Sequence, residues 1–324
     1  MWMEGSTSGV YRMWFQHMDM NRIPFYQYNT IIVGTGAAGL NAAVTLHKLG
    51  QKNIALITEG RYMGTSRNTG SDKQTYYKMT QCGSEPDSVR KMAKTLFEGG
   101  CVDGDIAMAE AAGSLRAFYH LVDIGVPFPF NKSGEYVGYK TDHDPLKRGI
   151  SAGPLTSKYM TECLERQAEE RGIPFFDGYQ AVRLLTEEKD GEKRAAGIIA
   201  LNKQKAASPD ERYAVFSAVN IIWATGGEAG MYQASVYPVS QTGGMGVLLE
   251  AGAVAKNLTE SQFGIASVKY RWNLSGTFQQ CLPRYLSAEQ DGSHEREFLN
   301  DYFDTPRQLL TAIFLKGYQW PFDP

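Results

Sequence analysis

The stretch that decides the fold is Thr30-Ile31-Ile32-Val33-Gly34-Thr35-Gly36-Ala37-Ala38-Gly39. Its first four residues are β-branched and read as a buried strand. The glycines lead into a segment whose small and apolar positions Gly39, Ala42, Ala43, Leu46 and Leu49 recur at helical spacing until Gly50. Asn53-Ile54-Ala55-Leu56-Ile57-Thr58 follows as a second apolar strand, so strand, glycine turn, helix and strand make one parallel crossover. A G-x-G-x-x-G pattern alone is a weak signal, but in this setting each glycine has a physical task. Gly34 permits the sharp turn off the strand, Gly36 lets a pyrophosphate reach the backbone, and Gly39 lets helix and sheet pack closely. Glu59 closes the second strand about 20 residues past the last glycine, where a carboxylate accepts hydrogen bonds from ribose hydroxyls. An acid there fits an unphosphorylated ribose, so FAD or NAD is favoured over NADP. The competing reading is a glycine-rich turn in some other α/β protein, with Glu59 merely solvated.

Working outward, residues 60–83 read as a polar loop, and helices are expected over 85–98, opened by Ser84 as N-cap, and over 105–124. Gly125-Val126-Pro127 breaks the pattern and begins a polar excursion, after which a helix is expected over 155–171. Short strands follow at 173–176, 181–186, 195–201 and 212–216, the middle pair joined by the charged turn 187–192. Val219-Asn220-Ile221-Ile222-Trp223-Ala224 returns as an apolar strand ending in Thr225-Gly226-Gly227, and a last helix is expected over 305–320. No internal repeat is evident. Before Asn29 there is neither helical nor alternating periodicity, and Met20 is a plausible alternative start.

Composition narrows the partners. The 324 residues carry 33 basic and 35 acidic side chains, a balance without the basic footprint of a nucleic-acid binder. No apolar run reaches the roughly 18 residues that a membrane span needs, and no signal-peptide pattern is present. The four cysteines are far apart and form no metal-binding spacing with histidine, so no metal is expected and a reduced, cytoplasmic setting is the simplest reading.

Ile31 to Glu59 resembles the amino-terminal FAD motif of the succinate dehydrogenase, fumarate reductase and L-aspartate oxidase flavoproteins. Four further regions extend the likeness in family order. Gly64-Thr65-Ser66-Arg67-Asn68-Thr69-Gly70-Ser71 matches the loop beneath the flavin, and Tyr179-Gln180-Ala181-Val182 matches the backbone laid against adenine. Asn220 to Gly227 and Gln241-Thr242-Gly243-Gly244-Met245-Gly246 match the second strand end and the helix start after it. The resemblance implies an FAD-dependent oxidoreductase. It implies Gly34, Gly36, Ala37, Ala38 and Gly39 around the pyrophosphate and Glu59 on the ribose, with Ala181 by the adenine. It further implies Gly60, Thr65, Ser66, Thr69 and Gly70 toward the flavin, and Ala224, Thr225, Gly226 and Gly227 at the second strand end. Some relatives attach FAD through a loop histidine; residues 64–73 contain none, so FAD is expected to be non-covalent.

The likeness weakens toward the substrate. The family's Q-F-H-P reads Gln262-Phe263-Gly264-Ile265 here, and its R-G-E-G-G has no counterpart, so succinate or fumarate does not carry over. Gln262, Lys269 and Arg271 are candidate contacts to a small anionic substrate, and Arg284 is the nominee for proton donor or anchor. A surface strand with alternating basic and aromatic residues is the rival account of that segment. The fold expected is α/β, a Rossmann-type FAD-binding domain with a parallel sheet plus an inserted α+β capping or substrate region. Its parts are a peripheral extension 1–28, a discontinuous FAD-binding domain 29–125 and 173–257, an excursion and helix 126–172, and an incomplete capping region 258–324. Relatives close the flavin pocket with a final glycine-rich strand and helix, which this chain is expected to stop short of. A small-molecule substrate and an electron-transfer partner protein are expected. The alternatives are an NAD-dependent dehydrogenase and a non-catalytic flavin-fold subunit of a redox complex.

Overall fold

Thr30, Ile31, Ile32 and Val33 are buried in the middle of the molecule's main sheet, and all five residues of the neighbouring strand 54–58 are buried too. Strands covered on both faces need this unbroken apolar character. The computed structural model describes residues 23–70, 74–83, 85–100, 102–141, 144–227, 243–258 and 281–316, with isolated positions at 230, 237, 266–267, 272–273 and 279. In chain order the elements are β1 (Phe25–Val33), α1 (Ala37–Lys48), β2 (Ile54–Thr58), α2 (Thr65–Asn68), β3 (Tyr76–Tyr77), α3 (Val89–Glu98), α4 (Gly104–Asp123) and β4 (Gly149–Ile150). Then come α5 (Thr156–Glu170), β5 (Phe175–Asp177), β6 (Tyr179–Lys189), β7 (Glu192–Asn202), β8 (Tyr213–Trp223), α6 (Met245–Glu250), β9 (Ala266–Ser267), β10 (Trp272–Asn273) and α7 (Pro306–Lys316).

The chain divides into two compact units, Met1–Thr69 with Met160–Ala255, and Gly70–Tyr159 with Lys256–Pro324. The first holds a six-stranded sheet of order β5-β2-β1-β8-β7-β6. Its β5, β2, β1 and β8 run parallel, while β8, β7 and β6 pair antiparallel. The charged turn expected at 187–192 is the tip of the β6–β7 hairpin, where Lys189 pairs with Glu192 across Asp190-Gly191. Two boundaries differ from the sequence reading. β1 starts at Phe25, because residues 25–28 pair with 215–218 of β8 and turn Tyr26 and Tyr28 onto Phe176 and Phe216. The strands expected at 212–216 and 219–224 are one, β8, since its first half serves β7 as well as β1.

In the second unit α3 and α4 pack around Met92, Ala93, Ala107 and Ala111. α3 begins at Val89, with Ser88 Oγ accepting from Lys91 N at 3.1 Å; the expected cap, Ser84, lies outside the described residues. Asp87, directly before this cap, is engaged elsewhere. Arg148 is fully buried and sends Nε and Nη2 to the two oxygens of Asp87 at 2.9 and 2.7 Å. Its Nη1 reaches Thr95 Oγ1 at 2.9 Å and Tyr77 OH at 3.2 Å, with Asp144 at 3.4 Å. Tyr77 also donates to Asp144, and burial together with that bond pushes its phenol well above the usual range.

Removing one partner of such a buried pair strands the other. Asp87→Ala is therefore expected to cost about 3–5 kcal/mol, read as a fall in urea midpoint, and an unchanged midpoint would count against the network. Burial alone would raise the Asp87 pKa, but bonds from Arg148 and from the amides of Thr80 and Ser88 outweigh it and lower the value. The stability this gives is present above the unfolded carboxyl value of about 3.9 and is lost as pH falls below it. Wild type should therefore lose stability on acidification below about pH 4 more steeply than Asp87→Asn, as followed by thermal melting.

Candidate functional site

Three strands bring main chain together where β1 ends. Gly34 N donates to Ile57 O of β2 at 2.8 Å, and Ala224 N donates to Val33 O at 2.7 Å. From β1 the chain crosses to β2 on one side while β8 lies on the other, so this is the sheet's topological switch point. Gly34 has φ +107°, and a Cβ on it would lie 2.3 Å from Ala224 O; a Cβ on Gly39 would lie 2.0 Å from Gly34 O. No side chain fits at either distance, so these two positions set how closely α1 approaches the strands.

Gly36 is the N-cap of α1 and supplies no side chain to the first-turn amides; the first turn contains no acidic residue. Within 4 Å a Cβ on Gly36 would meet only Ser66 Oγ, at 3.5 Å. Ala37 is half-buried and Ala38 exposed. This helix start thus offers N–H groups and positive dipole to a small opening with no carboxylate of its own.

The loop after β2 lies against that opening. Thr35 Oγ1 is bonded to Thr58 Oγ1 at 3.0 Å and to Arg61 O at 3.3 Å. Gly64 faces Gly36, with its Cβ position 3.7 Å from Gly36 Cα, and Ser66 Oγ accepts from Ala37 N at 3.4 Å. Thr69 Oγ1 donates to Thr65 O at 2.7 Å, closing the short helix α2. The structure therefore gathers Gly34, Gly36, Ala37, Gly39, Thr65 and Ser66 into one neighbourhood, with Gly60 and Thr69 on the same loop. Gly70 belongs to the second unit, where its Cβ position meets Leu155 and Pro154.

Glu59 carries a partner that spacing did not foretell. Lys203, just past β7, donates to Glu59 Oε1 at 2.8 Å, with the two side chains 43% and 31% exposed. Lys203 N in turn donates to Gly178 O at 2.9 Å, so Glu59 and the start of β6, which carries Ala181, share this edge. At the other strand end Thr225 donates to Gly243 O, and Gly226 and Gly227 are exposed. Trp223, which spacing also missed, stands in register with Val33 and beside Gly244.

Arg284 lies in the second unit, 72% exposed, with its Nε donating to Glu297 at 2.6 Å. That bond holds the Glu297 carboxyl below the usual carboxylate range. Gln262, Lys269 and Arg271, together with Gln241, Thr242 and Gly264, lie outside the described residues. Among the described residues no cluster of His, Cys, Asp and Glu could hold a metal ion, and no helix is long and apolar enough to cross a membrane.

The residues at α1 fit a dinucleotide. A diphosphate needs amide N–H groups, small side chains and no acid among them; Gly36, Ala37 and Ala38 are small and the first turn holds no acid, while Ala37 N is shared with Ser66 Oγ. Among the described residues Thr65 Oγ1 and Trp223 Nε1 are buried polar atoms without a hydrogen-bond partner, one on the loop and one at the end of β8. A bound molecule is one way in which such groups are satisfied.

The sequence profile of the family described as "FAD binding domain" matches residues 29–283. The chain belongs to that family, and FAD is the cofactor it implies. An L-aspartate oxidase of Agrobacterium fabrum is 28% identical over 242 residues, which is 72% of this chain and 42% of the relative. A succinate dehydrogenase flavoprotein subunit of Coxiella burnetii is 24% identical over 254 residues, covering 75% of this chain and 41% of the relative. Among solved structures, an open flavocytochrome c3 fumarate reductase superposes with TM-score 0.66 at 18% identity, over 90% of this chain and 51% of that one. The quinol fumarate reductase of E. coli gives 0.60 at 21% identity, over 70% and 37%. The chain thus spans less than half the length of these two curated relatives. None of these matches lends support to the NAD-dependent alternative.

The closeness at Gly39 yields a stability prediction. Gly39→Ala forces a methyl into Gly34 O and is expected to destabilise the chain by about 1–3 kcal/mol, measured as a shift in urea midpoint. A midpoint equal to wild type would mean that the helix is not pressed against the turn.

Proposed function

We propose that this chain holds FAD non-covalently at the start of α1 and forms the cofactor-binding part of an oxidoreductase that passes hydride between the flavin and a small, anionic organic substrate. One observation carries the reading: the glycine turn ends in a helix N-terminus whose cap, Gly36, has no side chain and whose first turn holds no acid, at the switch point of the sheet. In this reading Gly34, Gly36, Ala37, Ala38 and Gly39 cradle the diphosphate, Glu59 receives the ribose hydroxyls and Ala181 lies along the adenine. Gly60, Thr65, Ser66, Thr69 and Gly70 serve the flavin side, and Ala224 through Gly227 bound the cofactor at the second strand end. When bound, FAD supplies hydride exchange at N5 and an electron-accepting ring. The chain's own work is to neutralise the diphosphate with amides, to fix the sugar with a carboxylate and to keep the ring's surroundings small. Residues 64–73 contain no histidine for covalent attachment.

For the substrate, Arg284, Gln262, Lys269 and Arg271 remain the nominees, because guanidinium and ammonium groups recognise carboxylates. Electrons are proposed to pass on to an acceptor or partner protein, as befits a chain similar to a succinate dehydrogenase subunit. A cytoplasmic setting is part of the proposal and accords with Cys82, Cys163 and Cys281 being free thiols. A second reading, a non-catalytic flavin-fold subunit, is favoured by one fact: Arg284 spends its charge on Glu297.

Purified protein is expected to be yellow, to bleach with dithionite, and to release intact FAD on acid denaturation, identified by mass. Gly36→Val should still fold cooperatively in urea, with a lowered midpoint, and retain no flavin. A colourless wild type that takes up no added FAD would end the proposal. Reduction of bound FAD by organic substrates separates an enzyme from the non-catalytic alternative.

A further inference from the structure

The loop over residues 60–69, which carries most of the flavin-side nominees, is anchored to α5 by an ion-pair cluster that no part of the proposed function uses. Glu165 is buried, 8% exposed, and sends its two oxygens to two different arginines. Arg61 Nε donates to Oε1 at 2.5 Å, and Arg67 Nη2 donates to Oε2. Arg61 begins the loop, directly after Glu59 and Gly60, whereas Arg67 sits in α2, next to Ser66. One carboxylate thereby ties the start of the loop to its helical turn.

Arg61 has further restraints. Its amide donates to Asp177 Oδ1 at 2.8 Å, its guanidinium lies 4.1 Å from the centroid of the Phe175 ring, and it also donates to Glu169. Arg67 has fewer. Besides Glu165 it has Glu162, at 3.8 Å, and the face of Tyr62 at 5.2 Å. With Arg61 fixed to β5, the bond between Glu165 and Arg67 ties α2 to the same anchor, alongside the bond from Asn68 Nδ2 to Tyr62 O at 2.5 Å. On α2's flank Ser66 Oγ meets Ala37 N at 3.4 Å and Gly64 packs against Gly36. The position of α2 is therefore the position of the loop hydroxyls relative to the helix N-terminus.

We propose that Glu165 is a positioning residue for the cofactor: by bridging Arg61 and Arg67 it holds α2, and with it Thr65 and Ser66, at the working distance from the start of α1. This rests on the FAD reading of that helix start. It differs from a purely electrostatic role in the sign of its effect. Removing one negative charge beside two arginines would raise the local positive potential and tighten an anionic ligand, whereas loss of positioning weakens it.

The test is fluorescence titration of FAD into the whole 324-residue chain stripped of flavin. Four forms are compared with wild type: Glu165→Gln, Arg67→Lys, Ser66→Ala, and Ser66→Ala combined with Glu165→Gln. Ligand-free melting runs alongside. Glu165→Gln and Arg67→Lys are each expected to raise the Kd for FAD about tenfold. In the Ser66→Ala background the added Glu165→Gln change should cost no more than about threefold, because the interaction it positions is already gone. If Glu165→Gln fails to fold, Arg67→Lys, which keeps the charge but loses the planar fork, decides. Tighter binding by Glu165→Gln overturns the inference, as does a wild type that binds FAD while both single variants stay within about threefold of it. Full additivity with Ser66→Ala overturns it as well. A wild type that binds no FAD overturns the site reading itself, and this inference with it.

Discussion

The site is built on a contact between backbone and backbone. At the end of β1 the chain must turn, pass beneath Ala224 and start a helix, all within the span of Gly34 to Gly39. The room exists because Gly34 and Gly39 lack Cβ atoms, and the turn is held by main-chain bonds to β2 and from Ala224. Close approach keeps the start of α1, with its N–H groups, at the ends of the strands. A helix displaced outward by one methyl would keep its dipole but aim it elsewhere.

Around that backbone frame, charged side chains set positions that apolar packing leaves loose. Desolvating an ion pair costs several kcal/mol, which is offset only when each charge has well-placed partners. Glu165 meets this condition in the first unit by giving one oxygen to each of two arginines. Arg148 meets it in the second, where two aspartates, a tyrosine and a threonine surround the guanidinium. Planar, forked groups fix direction as well as distance, and that is what a loop or a helix start needs from its anchor.

The family match runs across both strand ends and the loop between them. The cofactor half of the family pattern is present from Ile31 to Gly227, in order. The resemblance read from the sequence is weaker after it, where Gly264 stands at the position that the resemblance gives to histidine. Such a division follows from what each half must do. Binding a diphosphate and a ribose calls for amides and a carboxylate, whereas different substrates call for different side chains.

The sequence by itself determined the crossover, the glycine turn and the acid that follows it, because these rest on local periodicity and on the singular freedom of glycine. It also determined the hairpin at 187–192, through turn chemistry between two runs of strand formers. It did not reveal that β1 starts at Phe25, since residues 25–28 are ordered by pairing with residues 215–218, far along the chain. Lys203 on Glu59, separated by 144 positions, left no signal of any kind. Glu162, Glu165 and Glu169 fall on one face of α5 and could have been seen as a stripe, but a stripe of acids on a helix ordinarily faces water. That this one meets Arg61 and Arg67 was decided by the tertiary structure, because only the folded sheet brings α5 beneath a loop about 100 residues earlier.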